Sequence, residues 1–254
     1  MARSFPRLER AFLRALILVV FAVVLSGCGR LVEPVLIAAG ADGGSPVPAQ
    51  DSGVERIDLD VGLNARIRFD EGEGNVARAE SDRNFIDGLL PENAVWVDGR
   101  MGGAVELFGQ PIRLGNTDRY FDAGTSFSAS IWMSPSASST TSATFIRFET
   151  GLLSARWADD RLTVRTSNQI IVELDAPWLD DEWHLLALVY DRPSARFGVF
   201  IDGRPYFQDT FQIGDPTPGN ARIGEFYYGR VDDFRIYARA LSAAEVAALW
   251  RLFD

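Results

Sequence analysis

Residues 183–203 read WHLLALVYDRPSARFGVFIDG, and this stretch decides the fold class. From Trp183 to Tyr190, successive side chains of a strand would point to opposite faces, and both faces are largely apolar. This pattern predicts an interior strand that is covered on both sides. A second strand is expected over 197–201, and Asp202-Gly203 predicts a tight hairpin turn that needs positive φ. We therefore expect a β protein.

Short alternating segments recur on both sides of this hairpin, with turn residues about every 8–12 positions. In addition to the two strands of the hairpin, we expect strands at 57–61, 65–69, 95–97, 104–108, 112–114, 127–133, 143–148, 152–157, 162–166, 170–174, 205–210, 221–223 and 230–237. No helical pattern separates these segments, which excludes a parallel α/β fold. The sequence predicts an all-β, two-sheet antiparallel sandwich.

One short helix is expected at the C-terminal end. Ser242 and Glu245 have the spacing of a capping box, and Leu241 precedes the cap as a hydrophobic staple would. Val246, Leu249, Trp250 and Phe253 follow at helical spacing and form one apolar stripe. We expect this helix to dock on the sandwich and to have a structural role.

The first 27 residues have the pattern of an export signal. Arg3, Arg7, Arg10 and Arg14 precede an apolar run over 15–25, and small residues follow it. The run is shorter than the roughly 20 residues that a membrane-spanning helix needs. An uncleaved anchor is the alternative reading of the same segment.

Leu25-Ser26-Gly27-Cys28 resembles the lipobox of bacterial lipoproteins, L-[AS]-[GA]-C. The resemblance implies that Cys28 becomes the first residue of the mature protein and carries several acyl chains, which anchor a protein stably. Gly29 stands where an Asp would resemble a retention signal for the inner membrane, so the outer membrane is favoured. We expect a signal peptide at 1–27, a flexible linker at 28–53 and one domain at 54–254.

The amino-acid composition restricts the classes of ligand that the protein is expected to bind. The chain has 25 basic residues, all of them Arg, against 35 acidic residues, and its net charge is −10. A protein this acidic is a poor candidate for binding nucleic acid, other polyanions or anionic lipid headgroups. Cys28 is the sole cysteine, so the domain has no intramolecular disulfide, and a usual zinc site is also excluded.

Several sequence segments, in their order along the chain, resemble the motifs of one protein family. They are FDEGEG at 69–74, WVDGRMGGA at 96–104, FSASIWM at 127–133, EWH at 182–184, VYD at 189–191, FIDG at 200–203 and GRVDDFRIYARALS at 229–242. Together they resemble the laminin-G-like, concanavalin A-like lectin/glucanase domains of secreted bacterial proteins. The resemblance covers about 54–254. It implies a jelly roll of two antiparallel sheets and carbohydrate as the ligand class.

The resemblance also implies a calcium site. Family members often bind this ion beside the loop after the first strand, with help from an Asp pair in the last strand. Asp232 and Asp233 match the pair, and Glu80 and Asp82 are the corresponding loop candidates. The loop departs from the family pattern because Arg83 brings a cation among the expected oxygen ligands. Hydrogen bonds from backbone amides or an Arg are the alternative role of the Asp pair.

Aromatic residues are the remaining ligand candidates, since sugar rings stack on them. Those outside the shared segments are Trp157, Trp178, Tyr206, Tyr227 and Tyr228. Trp96, Trp132 and Trp183 match framework positions and are expected in the core. His184, beside Trp183, is expected to be a hydrogen-bonded structural residue.

Three function classes remain, and they are not equal. The chain has neither the E-x-D-x-E strand motif of glucanases with this fold nor a G-x-S-x-G elbow, so we do not expect an enzyme. A lipid-anchored carbohydrate-binding module is the first hypothesis. A structural or adhesion lipoprotein that binds another envelope protein is the alternative, and a glycoside hydrolase is the remote one.

Overall fold

The computed structural model of the protein describes residues 57–81, 87–116, 123–136, 142–148, 153–166, 169–176, 180–215 and 219–252. The signal peptide, the lipobox with Cys28 and the linker that the sequence predicts lie outside these ranges. Among the residues that are described, no helix is long and apolar enough to cross a membrane.

The described chain forms seventeen strands and one helix. The strands of the first half are β1 (Leu63–Ile67), β2 (Val76–Ala77), β3 (Ala79–Glu80), β4 (Gly88–Leu89), β5 (Val95–Asp98), β6 (Gly103–Phe108), β7 (Ile112–Asn116) and β8 (Phe127–Pro135). Those of the second half are β9 (Ser142–Phe148), β10 (Ser154–Ala158), β11 (Arg161–Arg165), β12 (Ile170–Asp175), β13 (His184–Asp191), β14 (Arg196–Ile201), β15 (Arg204–Thr210), β16 (Asn220–Glu225) and β17 (Tyr228–Tyr237). Helix α1 (Ala243–Arg251) follows.

The strands form two sheets in which every observed pairing is antiparallel. The first sheet has the order β15-β14-β13-β8-β17-β1-β3, with β6 pairing both β17 and β5. The second has the order β12-β11-β10-β9-β16-β7-β4-β2. Apolar side chains from both sheets form one continuous core, which includes Ile67, Phe148, Leu188 and Phe234. This arrangement confirms the two-sheet antiparallel sandwich.

Strand β13 is an interior strand, as its sequence predicts. It pairs with β8 on one side and β14 on the other. Leu186, Leu188 and Tyr190 belong to the core between the sheets, whereas Leu185, Ala187 and Val189 belong to a second apolar cluster on the opposite face. The turn into β15 has positive φ at Asp202 (50°) and at Gly203 (73°), which confirms the predicted hairpin.

Helix α1 covers that second cluster. The Ser242 hydroxyl accepts the Glu245 amide hydrogen, and the Glu245 carboxylate accepts the Ser242 amide hydrogen, so the capping box is present. Val246 and Leu249 are buried in the cluster, and the ring of Trp250 stacks on Trp132 with 4.9 Å between centroids. The outer face of the first sheet is thereby closed over much of its centre.

The start of the domain differs from the prediction. Residues 57–61 do not form a strand: positions 59–62 are a turn, and Leu59 alone is buried, against the helix-covered face. The Leu63 amide donates to the Asp60 carbonyl at 3.1 Å and closes this turn. Three apolar residues at alternate positions imitate a strand here, but no neighbouring strand pairs with them.

Candidate functional site

Two of the aromatic residues predicted as ligand contacts lie in the core, which contradicts that prediction. Trp157 is 3% exposed, and its indole N–H donates to the Ala176 carbonyl at 2.7 Å. Tyr227 is 1% exposed, and its hydroxyl donates to the Arg230 carbonyl at 3.0 Å. Neither ring face is open to a ligand, because both side chains point between the sheets.

The other predicted aromatic residues do not form one surface. Tyr206 is exposed on β15, at the edge of the first sheet, and Tyr228 is exposed at the start of β17, opposite Phe108. Trp178 lies outside the described residues. Of the framework residues, Trp132 is buried, and Trp96 and Trp183 are partly buried.

The predicted calcium ligands are engaged with protein groups. Asp233 accepts from Arg66 Nε at 2.5 Å and from Arg235 Nε at 2.9 Å, and all three side chains are buried. Glu80 pairs with Arg68 at 2.9 Å on the surface. Asp232 accepts the Met101 amide hydrogen at 3.1 Å.

Among the described residues, no group of three or more acidic, His or Cys side chains is arranged to hold a metal ion. The described residues therefore do not form a calcium site by themselves, and Asp82, with most of the predicted ligand loop, lies outside the described ranges. A β-bulge explains the unusual Asp pair, because β17 gains a residue relative to β8 between Asp232 and Arg235. Asp233 occupies this bulge with φ of 42° and faces the same side as its arginine partners.

Burial changes the chemistry of Asp232. It raises the pKa of this carboxyl to about 7, although the hydrogen bond from the Met101 amide opposes the shift. The Asp232 side chain supports the turn over 99–103 rather than facing an open cleft. We assign it a structural role.

His184 is held by two carboxylates. Its Nδ1 lies 3.0 Å from Asp202 Oδ2, and its Nε2 lies 3.3 Å from Asp180. Burial alone would lower the pKa of the His184 imidazole, but the hydrogen bond and negative charge of Asp202, with Asp180, raise it above its ordinary value. Asp202 also accepts the Leu185 amide hydrogen, so this network fixes the hairpin. The contacts agree with the structural role that the sequence predicts.

The outer face of the second sheet carries polar side chains, whereas its inner face carries the apolar side chains of the core. Strands β11, β10, β9 and β16 are neighbours, so residues in register lie side by side about 4.8 Å apart. One row across these strands is Arg165, Ser154, Arg147 and Arg222, and the next row is Thr163, Arg156, Thr144 and Glu225. The alternate residues of the same strands are buried in the core.

A depression of about 500 Å³ opens on this face. We call it the arginine basin; it is lined by Ser142, Thr144, Arg147, Phe148, Leu153, Ser154, Arg156, Arg165, Thr166, Glu225 and Phe226. Its size is within the range of small-ligand sites, and its polar lining consists of hydroxyl groups, guanidinium groups and the Glu225 carboxylate. It is distinct from the surfaces that hold Tyr206 and Tyr228.

The charges in the arginine basin are not balanced within it. Glu225 accepts from Arg147 Nη1 at 3.2 Å and from Arg222 Nη1 at 3.2 Å, and its side chain is 15% exposed. Arg156 and Arg165 are exposed, and neither has a carboxylate within ion-pair distance in the described part of the chain. The lining thus holds three guanidinium groups against one carboxylate that is already engaged.

Phe226 stands at the rim of the arginine basin with its ring open to solvent. It is 64% exposed and has φ of 60°, which is unfavourable for a residue with a side chain. The backbone is held in this conformation by the Phe226 amide, which donates to the Gly109 carbonyl at 2.9 Å. Phe226 thus places an apolar ring beside the polar lining of the arginine basin.

The sequence analysis missed this site, although its signal is present. Arg147, Arg156, Arg165 and Arg222 each occupy a polar position within a segment predicted as a strand. Period-2 alternation predicts that each points away from the core. What alternation does not give is the order of the strands, and that order brings these four residues together.

The sequence was compared with protein-family models and with curated proteins. Residues 109–247, more than half of the chain, match the family model of the concanavalin A-like lectin/glucanases superfamily. No curated protein matches the chain.

Solved structures share the fold at low identity. The binding domain of Paraclostridial Mosquitocidal Protein 1 is similar with a TM-score of 0.60 and 16% identity over 76% of this chain and 52% of its own. Domain 4 of AbnA, a GH43 extracellular arabinanase from Geobacillus stearothermophilus in complex with arabinotriose, gives 0.56 and 23% over 74% and 97%. Trypanosoma rangeli sialidase gives 0.59 and 14% over 76% and 33%. The chain thus spans about half of the first of these and a third of the last.

Proposed function

Because the chain belongs to the concanavalin A-like lectin/glucanase superfamily, we propose that it is a non-catalytic binding module for carbohydrate. The arginine basin is the proposed binding site. The observation that carries the proposal is the basin itself, in which hydroxyl and guanidinium groups line a depression beside the exposed ring of Phe226.

This combination suits a sugar. Arg, Ser and Thr side chains bond the hydroxyl groups of a glycan, and an aromatic ring packs against the C–H face of a pyranose or furanose. The arabinanase domain, which shares the fold and has arabinotriose bound, supports carbohydrate as the ligand class. The fold alone does not carry the proposal, since it hosts many functions.

The charges of the basin support binding rather than hydrolysis. Glycoside hydrolysis needs two carboxyl groups, about 5–5.5 Å apart for retention or about 6.5–9.5 Å for inversion. In the described lining of the basin, the one carboxylate is Glu225. Both oxygens of this carboxylate are engaged in ion pairs, one with Arg147 and one with Arg222, so it is not positioned to protonate a leaving group.

We further propose that Cys28 carries a lipid that anchors the protein to the membrane, with the outer membrane favoured. The support is the sequence alone: the apolar run 15–25 followed at once by Leu25-Ser26-Gly27-Cys28. The basin would then be held near the cell envelope, where polysaccharide is abundant.

A protein partner in the envelope is the second candidate. The observation that favours it is an exposed apolar patch on the first sheet, where Phe108 is opposite Tyr228 and Val95 lies one strand away. These three side chains are 40–46% exposed and share a face with Glu106 and Arg230.

The test of carbohydrate binding compares two exposed aromatic residues. Removal of the Phe226 ring (Phe226→Ala) should weaken polysaccharide binding by the full-length protein about tenfold, because one ring's worth of buried contact is lost. Tyr206→Ala is the matched control, since Tyr206 is 55% exposed on the other sheet. Affinity electrophoresis in polysaccharide gels measures both.

The outcomes separate the surfaces. A loss with Tyr206→Ala and none with Phe226→Ala would move the site from the basin to the edge of the first sheet. Binding of the unaltered protein to no polysaccharide would favour the protein partner, for which crosslinking from Tyr228 in intact cells is the direct experiment.

A further inference from the structure

We infer that the glycan recognised by the arginine basin is acidic, and that Arg156 and Arg165 bind its carboxylate or sulfate groups. This inference rests on the proposed function and names the ligand class of the same site. It departs from the expectation drawn from total charge, which disfavoured polyanions.

The local charge of the basin is opposite to that of the whole chain. The protein has 35 acidic residues against 25 arginines, so carboxylates are in excess. The basin nevertheless presents three arginines and one glutamate. At physiological ionic strength the Debye length is about 8 Å, so a ligand inside the basin responds to these near charges and not to distant ones.

The register of the strands brings the arginines together. On β10, Ser154 is flanked by Arg165 of β11 on one side and by Arg147 of β9 on the other. Arg156 lies on β10, two residues after Ser154. Arg156 is thus the diagonal neighbour of Arg165, at roughly 7–8 Å between backbones, and a register shift in the pairing of β10 with β9 separates it from Arg147. Like charges at this spacing repel each other, and a bound anion would remove that repulsion.

Glu225 does not supply the missing negative charge. Both of its oxygens are engaged, one by Arg147 and one by Arg222. Arg156 and Arg165 remain with their guanidinium groups exposed and without a carboxylate partner in the described residues. They are the two groups that a ligand anion would meet.

The chemistry of the guanidinium group defines the ligand. Its planar fork matches the two oxygens of a carboxylate or of a sulfate ester and bonds them in a bidentate manner. The hydroxyls of Thr144 and Ser154 between the arginines suit sugar hydroxyl groups. A polysaccharide with uronic acid or sulfated residues presents both kinds of group.

The experiment uses matched ligands and matched variants of the full-length protein. The ligands are polygalacturonate and its carboxyl-reduced form, and dextran sulfate and dextran. The variant is Arg156→Gln/Arg165→Gln. Its control is Arg196→Gln/Arg204→Gln, which removes two exposed arginines from β14 and β15 of the other sheet and gives the same net charge.

We expect the unaltered protein and the control variant to bind an acidic ligand at least tenfold more tightly than its neutral counterpart. The Arg156→Gln/Arg165→Gln variant should lose that preference, because each charged hydrogen bond that is lost costs about a factor of ten or more. Thermal unfolding should be unchanged, since both side chains are exposed. Preference for polygalacturonate would assign carboxylate, and preference for dextran sulfate would assign sulfate.

Three other results overturn the inference. Equal binding of acidic and neutral ligands, or binding of the neutral ones alone, would refute an acidic ligand and leave carbohydrate binding in place. An equal loss in both double variants would attribute the effect to net charge instead of to the basin. Binding of none of the four ligands would refute both the inference and the proposed function.

Discussion

At the scale of single residues, Asp232 and Asp233 show how one β-bulge separates two neighbouring carboxyl groups. Asp233 is ion-paired with Arg66 and Arg235, whereas Asp232 accepts the Met101 amide hydrogen and has no ion pair with an arginine in the described part of the chain. Burial penalises the charged form of Asp232 and raises the pKa of its carboxyl to about 7.

This difference predicts how stability changes with pH. The pKa of Asp232 is about 7 in the folded state against an ordinary value of 3.8, so the folded protein binds this proton more tightly than the unfolded chain does. The stability that protonation contributes is complete below pH 3.8 and is lost as the pH rises through about 7.

Asp232→Asn keeps an acceptor for the Met101 amide but does not titrate. The free energy of unfolding of Asp232→Asn, relative to the unaltered protein, should therefore increase by roughly 3 kcal/mol between pH 4.5 and 8. Urea unfolding at several pH values measures this difference. A difference that is constant across that range would show that Asp232 titrates normally in the folded protein.

Residue-level reasoning from the sequence succeeded where a local contact sets the role. His184 and the Asp202-Gly203 turn depend on neighbours within about 20 positions, and the structure has them as expected. The prediction that Trp157 and Tyr227 contact a ligand was wrong. An aromatic residue near a strand end fits either face of a sheet, and only the partner strands decide which face is buried. The same missing information concealed the arginine basin.

At the scale of elements, helix α1 depends on its N-terminal cap as well as on its apolar side. The helix has nine residues, too few to be stable alone, and Val246 and Leu249 attach it to the first sheet. The capping box satisfies two amide groups that would otherwise lack partners.

Ser242→Ala removes the side chain that accepts the Glu245 amide hydrogen. We expect the free energy of unfolding to fall by about 1 kcal/mol, measured by urea denaturation. Ser242→Asp is the control, because its carboxylate accepts the same hydrogen bond and should retain most of the stability. An unchanged stability in Ser242→Ala would mean that packing of Val246 and Leu249 alone fixes the helix.

Most strands were predictable because each needs only alternation and flanking turn residues. Strand β13 and helix α1 were the clearest, since their patterns are long and bounded by turn or cap signals. The prediction of a strand at 57–61 was wrong for a physical reason. Alternation indicates that one side of the segment is apolar, but a strand also needs a partner for its backbone groups. The two-residue strands β2, β3 and β4 are too short to have any pattern.

At the scale of the whole molecule, the proposed lipid anchor predicts where the protein is found. Cys28→Ser removes the thiol that would be acylated, so the protein should move from the membrane fraction to the soluble fraction. Ser26→Ala is the matched control, because the lipobox pattern accepts Ala at that position. Cell fractionation and labelling with radioactive palmitate measure the change.

If the unaltered protein is in the membrane fraction without label, the apolar run 15–25 is an uncleaved anchor instead. This outcome would remove the lipid from the proposal. It would not alter the binding experiments, which concern the domain at 54–254.

The edges of the two sheets have a further consequence. Strand β15 ends the first sheet, is exposed along nearly its whole length, and contains Pro205, which has no N–H to donate, next to an irregularity in its pairing with β14. Strand β12 ends the second sheet and carries Glu173 and Asp175. The opposite ends are strands of two residues, and the branch of the first sheet ends at β5, which has four residues. In the described part of the chain, a proline, charged side chains or short length thus mark these edges, and such features disfavour pairing with a second copy of the chain.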